Sequence, residues 1–70
     1  MMKISARNKL SGTIVEVTRG ATTAHVRIEV GPGQVITAAI TNEAVDELGL
    51  EAGAKAIAVI KASDVMIGVE

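Results

Sequence analysis

The sequence predicts an all-β fold of five strands with one short helix between strands 3 and 4, occupying residues 1–70 as a single domain. Three observations carry this. Stretches rich in Val, Ile and Thr recur along the chain, glycine-bearing turns separate them, and one segment with helix-cap chemistry falls between the third and fourth stretches. The order strand, strand, strand, short helix, strand, strand is that of an OB-like Greek-key barrel.

Gly12 opens the first strand, Thr13-Ile14-Val15-Glu16-Val17-Thr18, which is dense in β-branched residues. Arg19-Gly20 marks a reversal, and from Thr22 to Val30 the residues Ala24, Val26, Ile28 and Val30 alternate with Thr23, His25, Arg27 and Glu29. Such a period of two describes a half-buried strand, with His25, Arg27 and Glu29 on a solvated face. Gly31-Pro32-Gly33 is the strongest breaker and leads into a third strand from Gln34 to Thr41. Thr41 or Asn42 then caps a short helix, acids occupy its early turns, and Gly49 between Leu48 and Leu50 is its C′ residue. Ala44, Val45 and Leu48 form the inward stripe; Glu43, Asp46 and Glu47 form a wet face rather than a magnesium site. After the loop Glu51-Ala52-Gly53-Ala54, the stretch Lys55 to Lys61 is a fourth strand with apolar residues at successive positions, which calls for cover on both faces. Ala62-Ser63-Asp64 turns the chain into a fifth strand, Val65 to Val69.

Composition narrows the function. The chain is 49% hydrophobic but has no Phe, Tyr, Trp or Cys, so small aliphatic residues make the core and neither disulfides nor thiolate metal sites are available. A domain this short buries only roughly 60% of its unfolded surface, and so much aliphatic surface is best accounted for by an obligate oligomer. No apolar run approaches the roughly 18 residues of a membrane span, and the amino terminus lacks the apolar core of a signal peptide, so the expected location is the cytoplasm, away from membranes. A net charge of −1 and the absence of aromatic platforms argue against nucleic acid, leaving an OB-type interaction or nucleic-acid-binding module as the second reading. With one His, no Cys and no nucleophile–base pair, the chain is not expected to be an enzyme.

The donors that do accumulate suit a small tetrahedral anion. Ser5-Ala6-Arg7-Asn8 places a hydroxyl, a guanidinium and an amide together, Thr41 enters a helix N-terminus, and Lys61 precedes the small Ala62 and Ser63. Each also has a plainer role, as a solvated edge strand, a helix cap or a solvated strand end. A cation about 4 Å from an anion gains roughly 4 kcal/mol at an effective dielectric near 20, so a local site outweighs the slight global negative charge.

The strings Ser5-Ala6-Arg7-Asn8-Lys9-Leu10-Ser11-Gly12, Ile40-Thr41, Glu47-Leu48-Gly49-Leu50 with Gly53, and Val59-Ile60-Lys61-Ala62-Ser63-Asp64-Val65 together resemble the molbindins, the molybdate-binding Mop branch of the TOBE domains. The resemblance covers nearly the whole chain and implies an OB-like fold that binds molybdate or tungstate for storage or homeostasis. It implies Ser5, Ala6, Arg7, Thr41, Lys61 and Ala62 as the residues lining the oxyanion site, with backbone donors contributing and no metal ligated directly by a side chain. It further implies a homohexamer, a trimer of strand-exchanged dimers, with sites between subunits and a second class of site near the three-fold axes. One departure is Ala44, where some relatives carry a hydroxyl residue.

Overall fold

The computed structural model describes residues 2–70, and its central element is a long first strand, β1 (Asn8–Arg19), flanked on both sides by other strands. The others are β2 (Thr23–Gly31), β3 (Gln34–Thr41) and β4 (Lys55–Ile60), with the helix α1 (Asn42–Leu48) between β3 and β4 and a short 3-10 turn at Ala62–Asp64. All neighbours are antiparallel, and the order across the curled sheet is β3-β2-β1-β4.

β1 begins earlier than the sequence suggests and runs through Gly12 instead of starting after it. Its first half pairs with β4, from Asn8 opposite Ile60 to Thr13 opposite Lys55. Its second half pairs with β2, from Thr13 opposite Glu29 to Arg19 opposite Ala24. Gly12 stands where one partner takes over from the other. A methyl group there would overlap the Glu29 carbonyl oxygen and lie 2.8 Å from Ile28 Cγ2, so this glycine permits a close backbone crossing rather than a turn. The register then shifts between Ile14 and Glu16, placing a bulge at Val15 that bends the strand further. The loop before β4 locks onto the same point, Ile14 N–H donating to Ala54 O at 2.9 Å and Gly53 N–H to Ile14 O at 2.8 Å.

The alternation read in β2 holds, with Ala24, Val26 and Ile28 buried against Ile14, Val45 and Ala58. Pro32 and Gly33 make the tight loop to β3, Gly33 taking φ 72°. Thr41 is the N-cap of α1, its Oγ1 accepting from Ala44 N–H at 3.0 Å. Gly49 ends the helix at φ 63°, and Leu50 N–H donates back to Val45 O at 3.0 Å. An ion pair of 2.6 Å between Arg19 and Asp46 ties the end of β1 to the wet face of the helix.

Four expectations are corrected. The described residues contain four strands rather than five, because Val65 to Val69 pairs with no other strand among them. A strand exists only when its backbone groups find partners, so residue preference alone does not make one. Nor does the chain close as a barrel: β3 and β4 are edges of an open sheet. Leu48, expected on the inward stripe of α1, is 68% exposed, whereas Val45 is fully buried. Leu48 instead overhangs a wide apolar groove of about 1000 Å³ that also reaches Val26, Ile28, Ile40, Leu50 and Ile57. Of the two faces of β4, one is covered within the chain through Ala58, and the other is not, since Ile57 remains 47% exposed.

The crossing at Gly12 gives a direct test. Gly12→Ala should lower stability by about 1–3 kcal/mol, read as a shift of the urea midpoint, because the added methyl forces β1 away from β2. A midpoint equal to the parent's would show that the crossing has slack.

Candidate functional site

The pairing of Asn8 with Ile60 decides where the polar residues go. At that end of β1 and β4 the chain leaves the sheet in two places, through residues 4–7 on one side and residues 61–64 on the other. Asn8 Nδ2 fastens the two exits by donating to Ile60 O at 3.3 Å. The amide therefore has a structural partner and is not simply a donor held for a ligand. The turn of residues 62–64 is held by Asp64 N–H donating to Lys61 O at 2.9 Å and Val65 N–H to Ala62 O at 3.3 Å.

Between the exits lies an open groove of about 630 Å³. Ser5, Ala6, Arg7, Lys61 and Ala62 all line it, so five of the six residues anticipated from the sequence come together. Ile4, Val59, Ser63 and Asp64 complete the lining. Ser63 and Asp64 follow Lys61 and Ala62 directly, and the tight turn read at Ala62-Ser63-Asp64 is the signal that could have placed them here.

Thr41 is elsewhere. It pairs with Thr23 at the far end of β2 and β3, beside the Arg19 end of β1, and its hydroxyl caps α1. The groove sits at the Asn8 end, so the whole of β1 separates Thr41 from the other candidates within one chain.

The groove gathers hydrogen-bond donors and two cations together with the Asp64 carboxylate. Arg7 supplies a planar fork of donors, Lys61 a point charge, Ser5 and Ser63 hydroxyls, and Ala6 and Ala62 are small enough to leave their backbone approachable. Among the described residues the ion pairs are Arg19–Asp46 and Arg27–Glu16, so neither Arg7 nor Lys61 is neutralised by contact with a carboxylate. The described residues hold no group of three or more His, Cys, Asp or Glu suited to a metal ion.

Comparison with known proteins places the chain among named relatives. A probable molybdenum-pterin-binding protein of Haemophilus influenzae is 49% identical over 69 residues, which is 99% of this chain and 100% of that protein. The structure of MopII from Clostridium pasteurianum superposes with a TM-score of 0.88 at 45% identity, over 96% of this chain and 100% of that one. The cytoplasmic molybdate-binding protein ModG, in a form with molybdate bound, gives a TM-score of 0.93 at 49% identity, over 99% of this chain and 49% of ModG. The resemblance drawn from the motifs is borne out, and with residues 4–67 matched the chain belongs to the TOBE domain family.

Proposed function

We propose that the protein binds molybdate or tungstate and serves as an oligomeric intracellular store, not as an enzyme. The observation that carries the reading is the meeting of Arg7 and Lys61, unpaired with any carboxylate among the described residues, in one groove with Ser5 and Ser63. Full-length similarity to a protein named for binding molybdenum-pterin, and similarity to the molybdate-binding protein ModG over 49% of ModG, support it. In an open groove the dielectric is close to that of water, where one cation about 4 Å from a dianion gains about 2 kcal/mol. Two such cations suffice for useful affinity in a chain of net charge −1. The hydroxyls and backbone N–H groups then fix spacing, and donors set for long metal–oxygen bonds leave the smaller sulfate under-coordinated. The described residues form no helix long and apolar enough to cross a membrane. A cytoplasmic location is part of the proposal.

Assembly belongs to the same reading. Met66, at 92% exposed, and Val69, at 94%, stand in a segment without a strand partner, while the apolar groove beside Leu48 and Ile57 lacks cover. Each large aliphatic side chain taken from water contributes about 1.5–3 kcal/mol, so exchange of carboxy-terminal segments between copies would supply both missing parts. A trimer of such dimers, a hexamer, is the proposed assembly. Thr41, remote from the groove in its own chain, joins an oxyanion site only as a residue of a neighbouring copy.

Three measurements follow from this reading. Molybdate should raise the thermal midpoint of the folded assembly and single-stranded oligonucleotides should leave it unchanged; the reverse pattern would favour an OB-type nucleic-acid module instead. In calorimetry, Arg7→Ala and Lys61→Ala should each weaken molybdate binding at least about tenfold, while Thr41→Asn, which keeps the cap, should mainly erode preference over sulfate. Unchanged affinity in both charge variants would put the site elsewhere. Ile57→Asp should lower the size seen by light scattering and the stability together, because a charge in an apolar interface lacks a partner. A well-folded monomer of the parent chain at micromolar concentration would contradict the assembly.

A further inference from the structure

Asp64 lines the same groove as Arg7 and Lys61, yet it forms no side-chain hydrogen bond or ion pair among those found in the described residues. Only its backbone is engaged, through the N–H that donates to Lys61 O at 2.9 Å. The carboxylate therefore neither neutralises a groove cation by contact nor braces the turn. What remains is its charge, held by the 3-10 turn beside the place where an anion would lie.

Resting on the oxyanion reading of this groove, we propose that Asp64 sets its affinity: the carboxylate opposes the bound dianion and keeps it from being held too tightly to be given back. Two cations draw the anion in, and one carboxylate limits how long it stays. The repulsion does not depend on the size of the anion, so it weakens molybdate, tungstate and sulfate alike. Size selection is left to the hydroxyl and backbone donors. Across about 8 Å of water-like dielectric, one negative charge weakens the binding of a dianion about fivefold. Differences between closely related complexes fall mostly in dissociation, so the gain on removing the charge should appear as slower release.

The test compares the parent oligomer with Asp64→Asn and Asp64→Ala by titration calorimetry with sodium molybdate, at about 10 mM salt and again at about 1 M, where the screening length falls to about 3 Å. Both variants should bind about fivefold more tightly at low salt and within about twofold of the parent at high salt. Exchange of bound molybdate for tungstate should slow by a similar factor at low salt. Ligand-free thermal unfolding at the parent's temperature establishes that the variants are folded. If the parent binds molybdate and neither variant binds it more tightly at low salt, the assignment to Asp64 is overturned while the groove reading stands. A gain equal at both salt concentrations also overturns it, because that points to reshaping of the turn rather than to charge. A parent chain that takes up no molybdate overturns the groove reading and this inference with it.

Discussion

The close crossing of β1 over β2 at Gly12 is the constraint on which the rest depends. Because no Cβ stands between Gly12 and the Glu29 carbonyl, one continuous strand can give its first half to β4 and its second half to β2. That sharing sets Asn8 opposite Ile60, and from this register the segments carrying Arg7 and Lys61 leave the sheet side by side. The groove is thus a consequence of strand pairing rather than of a loop folded for the purpose. The bulge at Val15 and the contacts of Ile14 with Gly53 and Ala54 hold the bend that makes the pairing possible.

The same architecture leaves apolar surface exposed within one chain. Its core is a handful of small aliphatic residues, Ile14, Ala24, Val26, Ile28, Val45 and Ala58, with no aromatic side chain to fill a larger volume. The apolar groove beside Leu48 and the carboxy-terminal segment both leave aliphatic surface exposed to water in an isolated copy. In the proposed assembly the surplus apolar surface that stabilises the oligomer also governs the site, since Thr41 reaches an oxyanion only across a boundary between copies. Folding, association and binding would then share one free-energy balance.

Much of this was legible in the residues. The alternation of Ala24, Val26 and Ile28 foretold the buried face of β2, and Thr41 with Gly49 foretold both ends of α1, because local patterns and caps act locally. Gly12 misled because a glycine at a strand start and a glycine at a crossing look alike until the partner strand is in place. Val65 to Val69 misled because residue preference makes no strand where no paired strand is found, as here among the described residues. Leu48 follows helical spacing, but its neighbours lie across a groove that one chain does not fill. Among the candidates, Ser5, Arg7 and Lys61 were singled out for their chemistry and Ala6 and Ala62 through the family resemblance, whereas Asp64 was passed over because a turn carboxylate is ordinary until it is seen to line the same groove as two cations.

The groove between residues 4–7 and 61–64 is the proposed seat of the oxyanion. Anomalous diffraction at the tungsten edge, from crystals grown with tungstate, tests it most directly, because the metal position is read without assumption about the surrounding atoms. The expected result is a tungsten peak within hydrogen-bonding reach of Arg7 and Lys61, with Thr41 of a neighbouring copy close by. Tungsten found only at other surfaces, with this groove empty, would contradict it.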